Sequence, residues 1–186
     1  MNAGTRDWMA GPRSSATLKV VPDQHLVDAV ANLFVHPAFA RVCISRYVAC
    51  PDDERALALY GAVEQRARAT GVVTELVDLR PAPAERLNAV TERICERRWV
   101  RDGKPPTYER VFVLDGFDLF NEDDKATYPF RTEMQWDEHH GWLFMGRNLP
   151  ALRNLFNNYR LPLYGAATNI TPQEWRPYCQ DHAPAD

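Results

Sequence analysis

Six residues carry most of the chemistry that this chain offers: Asp52, Asp53, Asp115, Asp118, Arg147 and Asn148. Carboxylates are the hard oxygen ligands a divalent cation takes, so Asp115 and Asp118, joined by Asp52 or Asp53, make a candidate metal site. The same side chains serve structure equally well, Asp115 as a helix cap and Asp118 as a solvated carboxylate. Arg147 with Asn148, at the start of a helix, can receive an anion or a partner's carboxylate. It can also pair with Asp115 on the adjacent strand, and the site is then internal scaffolding. Both readings stand on the residues alone.

A second run of titratable side chains is Glu133, Asp137, Glu138, His139 and His140. The two histidines are adjacent and therefore point apart on a helix or a strand, and the HExxH spacing of a zinc helix is missing. A surface turn accounts for this run. Cys43, Cys50, Cys95 and Cys179 form no CxxC pair and face no paired-histidine motif, which argues against a zinc site or a disulfide framework. Acids around Cys50 would raise its thiol pKa and work against a nucleophilic role. Ser14, Ser15 and Ser45 lie in no GxSxG elbow, so a serine hydrolase is not supported. No metal or other cofactor is expected.

The elements that must position these residues follow from apolar patterning. Within Tyr108–Asp118, the four consecutive apolar residues Val111 to Leu114 run into Asp115 and Gly116. Such a run fits a strand covered on both faces, with its acid at the rim where open α/β sheets bind ligands. Arg41 to Cys50 reads as an earlier strand closed by Pro51. Asp52, Asp53 and Glu54 then open a helix whose first turn favours negative charge. Ala56, Leu59, Tyr60, Val63 and Ala67 give that helix one apolar face, and Gly71 ends it. Val72–Leu79 is the second strand, Pro81 and Pro83 break the chain, and Glu85–Arg98 is a helix. Residues 102–106 form a loop, and the acidic stretch 121–125 is an exposed loop. A helix over 127–138 takes Pro129 in its first turn. Gly141–Gly146 is the fourth strand, Asn148 caps a helix carrying Leu149, Leu152, Phe156 and Tyr159, and Leu163–Ile170 is the fifth strand. A helix from Asp23 ends before Pro37, and Thr171 caps a last short one.

This alternation predicts a three-layer α/β sandwich around a five-stranded, largely parallel sheet. The predicted domain spans 18–175, between a flexible segment at 1–17 and a polar tail at 176–186. At 186 residues the chain suits one domain with a real core. Its net charge of −3 gives no bulk attraction to nucleic acid or to an acidic membrane. Nucleic-acid contact is expected only indirectly or through a local basic patch of Arg93, Arg97, Arg98 and Arg101, with Lys104 beside it. The alternative for that patch is a solvated helix end. No apolar run reaches the ~18–20 residues that span a bilayer, no signal-peptide core is present, and free cysteines suit a reducing compartment, so a cytoplasmic location is expected. Of the five tryptophans, packing explains Trp99, Trp136 and Trp142. Trp8 and Trp175, in polar surroundings, are candidate docking anchors.

The order of elements resembles the P-loop NTPases, in particular the AAA-like and archaeal-type ATPases, over residues 40 to 172. There a first strand leads into a phosphate loop and helix, a later strand ends in acids, and the next ends in a polar sensor residue. The matching pieces here are Val42–Ala49 with the helix from Asp52, Val111–Asp118, and Leu143–Asn148. The phosphate loop itself is absent: Ala49-Cys-Pro-Asp-Asp-Glu-Arg55 stands in place of GxxxxGK[ST]. It has no glycine to let backbone N–H groups curl around phosphates and no lysine to neutralise them. At an effective dielectric of ~20, like charges ~4 Å apart repel by about 4 kcal/mol, so its acids would oppose a triphosphate. Gly116 also stands where a catalytic glutamate would follow Asp115. A second resemblance, to the B component of BREX phage-defence systems, rests on Ala49–Glu54 and on Tyr128-Pro-Phe-Arg131.

Together these readings imply a non-catalytic, P-loop-like subunit that acts as a protein-binding scaffold or regulator. Its partners would be other protein subunits, an active ATPase or a DNA-processing enzyme, in phage defence or DNA processing, with no membrane. Two alternatives come from different classes. One is a metal-dependent nuclease or phosphohydrolase using Asp115, Asp118 and the acids and histidines of 133–140. The other is a nucleotide sensor without hydrolysis, in which Arg147 and Arg153 meet phosphates.

Overall fold

The computed structural model describes residues 45–69, 71–98, 110–121, 124–137 and 140–170. Its elements run β1 (Ser45–Ala49), α1 (Asp53–Arg68), β2 (Val73–Asp78), α2 (Pro83–Arg98) and β3 (Arg110–Asp115), then a 3₁₀ turn at Phe117–Leu119. They continue with α3 (Thr127–Trp136), β4 (His140–Gly146), α4 (Leu149–Asn157) and β5 (Thr168–Asn169).

The apolar runs decide which strands are central. Every residue of β4 is buried, as are all of β3 after Arg110, and these two strands pair in the middle of the order β2-β3-β4-β1-β5. Every pairing is parallel. Alternating side chains feed two cores. Tyr47, Phe112, Leu114, Trp142 and Phe144 pack with residues of α2, α3 and α4 on one face. Val48, Val111, Val113, Leu143 and Met145 pack with Ala56, Leu59 and Val63 of α1 on the other. This is the five-stranded, parallel α/β arrangement expected from the patterning.

Local chemistry sets the helix starts. Asp52 caps α1 by accepting the Arg55 N–H at 2.8 Å, and Asn148 caps α4 by accepting the Ala151 N–H at 3.1 Å. Pro129 does fall in the first turn of α3. Pro83 begins α2 rather than breaking the chain before it, since a first helical residue has no intrahelical use for its N–H.

Four expectations are corrected. The last strand is only Thr168–Asn169, because Leu163 to Gly165 turns instead of extending. Gly165, at φ 66°, donates its N–H back to the Phe156 carbonyl at 2.8 Å, so Leu163 reaches the core from a turn. The 127–138 helix stops at Trp136. Asp124, placed in an exposed acidic loop, is half-buried and accepts the Asn121 N–H at 2.7 Å. Trp136 is not packed away but 67% exposed, whereas Trp142 is wholly buried.

Several expectations lie outside the described residues: the termini with Trp8 and Trp175, the helices at Asp23 and Thr171, the loop 102–106, Cys43, Cys179, Trp99, Arg101, Lys104, Glu138 and His139. Among the described residues no helix is long and apolar enough to cross a membrane.

Candidate functional site

Because the strands are parallel, the carboxyl ends of β1, β2, β3 and β4 share one edge of the sheet. Asp78 and Asp115 end β2 and β3 as register partners, and Arg147 follows the last residue of β4. The backbone continues this alignment past the strands: Gly116 N–H donates to Met145 O at 3.0 Å, and Cys50 N–H donates to Gly146 O at 2.8 Å. Only Cys50, Pro51 and Asp52 separate β1 from α1, so the first turn of α1 stands directly at the rim.

A network of two arginines and three aspartates occupies that rim. Arg147 forms a bidentate pair with Asp115, Nη1 to Oδ1 at 2.7 Å and Nη2 to Oδ2 at 3.0 Å. Its Nε and Nη2 also donate to Asp53 Oδ1, at 2.9 and 2.7 Å. Arg80 donates Nε to Asp78 Oδ1 at 2.8 Å and Nη1 to Asp53 Oδ2 at 2.7 Å, and its Nη2 lies 3.6 Å from Asp115 Oδ2. Each arginine therefore holds one strand-end carboxylate, and Asp53 joins the two. The Asp115 side chain is 4% exposed and that of Asp53 63%, so the network runs from the core to solvent.

Two glycines leave room for it. A Cβ on Gly116, which sits at φ 86°, would fall 2.6 Å from Arg80 Cγ, and one on Gly146 would collide with the Asp118 carboxylate. Asp118 approaches that closely because its Oδ2 accepts the backbone N–H groups of Arg147 and Asn148, at 2.9 and 2.8 Å. It serves the β4–α4 turn, whereas Asp115 serves Arg147, so the two carboxylates weighed as a metal pair go to different partners. Asp52 turns toward its own helix and Arg55 and does not enter the network. Among the described residues no group of three or more His, Cys, Asp or Glu side chains is arranged to hold a metal ion.

The electrostatics follow from these contacts. Hydrogen bonds from Arg147 and then Arg80 hold the Asp53 carboxyl below its ordinary value. Burial pushes Asp78 upward, but the Arg80 bonds outweigh it and leave Asp78 lowered. Burial pushes the Cys50 thiol up to about 12; nearby Arg147 offsets part of this, while Asp115 and Asp52 add to it. Cys50 is buried and packs as a small hydrophobe, which argues against a nucleophilic role.

The aspartate shifts carry a pH prediction. A carboxyl whose native pKa lies below its unfolded value of about 3.9 contributes stability that is complete above roughly pH 5 and is lost as pH falls through the native pKa. Urea midpoints measured from pH 7 down to pH 2.5 should hold nearly level and then fall. The fall should be shallower in Arg80→Met, which removes the arginine that lowers Asp78 and one of the two that hold Asp53. An equally steep fall in that variant would show that the acid sensitivity comes from elsewhere.

Away from the rim, Arg93, His140 and Glu133 each have a defined place. Arg93 turns inward to Glu75, at 2.5 and 2.7 Å, with Arg110 completing the triad, so it is withdrawn from a basic patch. The side chains of Arg97 and Arg98 are outside the described set. His140 is buried and bonded through Nδ1 to Asp137 at 2.8 Å, which makes it part of the wall rather than of a surface turn. Glu133 is half-buried on α3.

Asp78 and Arg80 were not singled out in the sequence. The signal was present, because the second strand ends in an acid just as the third does. An arginine two positions after it was within reach of the same rim.

No family model matches the chain, and no curated protein is similar to it. Among solved structures, it is similar to the Aeropyrum pernix ORC1 protein in complex with DNA, at 16% identity and a TM-score of 0.44. The match covers 87% of this chain and 49% of that one, so the chain spans about half the length of that protein. A likeness at this level carries nothing about chemistry.

Proposed function

We propose that this chain is a non-catalytic, P-loop-like subunit that works by binding other proteins inside a larger assembly, in phage defence or DNA processing. The observation that carries this reading is the carboxylate of Asp53, which takes Arg80 and Arg147 at the start of α1. The start of a helix at the carboxyl rim of a parallel sheet is where an anion is ordinarily received. Here the chain supplies its own anion. An incoming phosphate would have to displace Asp53, and it would still face Asp78 and Asp115 behind the arginines. Asp52 already uses one free N–H of the helix end, and the three-residue connection from β1 offers no glycine and no lysine.

The test is thermal unfolding of the full chain with millimolar ATP, ADP, GTP, Mg²⁺ or Mn²⁺. A ligand at a hundred times its dissociation constant adds about 2.7 kcal/mol, which moves the midpoint by several degrees in a chain of this size. The expected result is no shift with any of them, together with recovery of the tagged chain from its own cells in a complex of fixed stoichiometry. A shift with nucleotide, or recovery of the chain as a free monomer, overturns the reading.

A further inference from the structure

Between Glu138 and Glu174 the chain has no acidic side chain and three arginines, Arg147, Arg153 and Arg160. In a chain of net charge −3 this is a local reversal of sign, and the structure gives it a place. Arg147 is used at the carboxyl rim. Arg153 and Arg160 lie on α4 and in the connection to β5, exposed, and among the described residues neither makes an ion pair.

Local bonds hold this connection in one shape. Leu161 N–H donates to Asn158 O at 3.0 Å, Tyr164 N–H donates to Leu161 O at 3.1 Å, and Gly165 N–H returns to the end of α4. The Asn158 side chain donates to Asn154 Oδ1 at 3.1 Å and accepts the Arg160 N–H at 3.1 Å. On this frame stand Tyr159, 72% exposed, and Tyr164, 54% exposed. The Arg160 guanidinium lies 5.5 Å from the Tyr159 ring centroid, and its Nε donates to the Tyr159 hydroxyl at 3.2 Å.

A surface built from Tyr, Arg and Asn, without Lys, Asp or Glu, has the composition of the buried centre of a protein interface. The loop order lowers the entropy lost on contact, because these side chains already stand on fixed backbone. We infer that this stretch, Tyr159, Arg160 and Tyr164 with the exposed Arg153 on the helix that leads into it, docks an acidic segment of a partner protein. Its carboxylates would take the guanidinium groups of Arg153 and Arg160, neither of which is in an ion pair among the described residues, and its apolar groups would lie against the exposed tyrosines. Magnitude separates this from nucleic acid. Two arginines neutralise about two phosphates, where strongly salt-dependent DNA binders make roughly six to ten such contacts.

The inference rests on the subunit reading above, and the experiment distinguishes the two. The photo-crosslinker p-benzoylphenylalanine is placed at Tyr159, at Tyr164 and, as a control on the opposite layer, at Leu57 in the full chain. The chain is then irradiated in its own cells, and crosslinked products are sequenced. The expected product comes from 159 and 164 but not from 57, and it maps to a protein segment containing Asp or Glu. A synthetic peptide of that segment should then bind the purified chain about tenfold more weakly when Arg153 and Arg160 are both changed to glutamate, a loss of about 1.4 kcal/mol. An amide version of the peptide should show the same loss, and added salt should weaken only the acidic peptide. Products mapping to nucleic acid, to a second copy of this chain or to an acid-free segment overturn the inference, as do labelling equal to that from 57 and no product at all. If the chain is nevertheless recovered in a complex of fixed stoichiometry, only this surface fails and the subunit reading stands.

Discussion

Arg147→Met is expected to lower the thermal midpoint by roughly 10 °C, corresponding to about 3 kcal/mol. The reason lies in what the change leaves behind. Asp115 is almost fully buried, and its two oxygens are held by the two terminal nitrogens of Arg147. Removing the guanidinium leaves a carboxylate without its bidentate partner in a poorly solvated place, and breaking a buried pair in this way costs about 3–5 kcal/mol. The lower end applies because Arg80 Nη2 remains 3.6 Å from Asp115 Oδ2 and offers partial compensation. Two further variants locate the effect. Asp53→Ala removes the exposed partner of the same arginine and should cost less than about 1 kcal/mol, as exposed ion pairs do. Adding Asp115→Asn to Arg147→Met removes the stranded charge and should restore most of the loss. Urea unfolding of the three variants and the native chain measures all of this. A loss under about 1 kcal/mol in Arg147→Met would mean that the rim pair is only a surface pair.

How far the chain could be read from its sequence depended on whether a feature is local. The apolar runs at Val111–Leu114 and Gly141–Met145 declare buried strands by themselves, because no half-exposed element tolerates so many consecutive apolar residues. The Asp52 and Asn148 caps are equally local, since a side chain reaches an N–H three residues on. The site itself is only partly local. Asp53, Asp115 and Arg147 come from three segments, and their meeting depends on β3 and β4 pairing while α1 starts directly after β1. The sequence could present the Asp115–Arg147 pairing as an alternative, but not the bridge through Asp53. Arg80 went unnoticed because its role depends on Gly116 having no side chain: any Cβ there would meet Arg80 Cγ at 2.6 Å. The fifth strand is shorter than the apolar pattern predicts for a similar reason. Leu163 and Ala167 are as buried as strand residues, and only the backbone of Gly165 shows that turns bury them.

The second large effect joins the core to the rim. Phe117→Ala is expected to cost about 3–5 kcal/mol, the range for emptying a packed aromatic site. The ring is fully buried, with centroids of Phe144 at 4.6 Å, Phe120 at 5.1 Å, Phe156 at 5.7 Å and Phe130 at 6.2 Å. These neighbours come from the sheet, from α3 and from α4, so a void here cannot close by moving one element. Phe117→Leu keeps much of the volume and should lose less. Phe117 also opens the short turn that carries Asp118, and Asp118 holds the N–H groups of Arg147 and Asn148. Loosening the turn should therefore release those two amides beyond the global loss of stability. Hydrogen exchange separates the contributions: Arg147 and Asn148 should lose protection in Phe117→Ala by more than the core amides of β3 do. Equal losses everywhere would mean that Phe117 stabilises the core without positioning the rim. A selective loss would show that the aromatic cluster on one face of the sheet holds the turn on which the aspartate–arginine network depends.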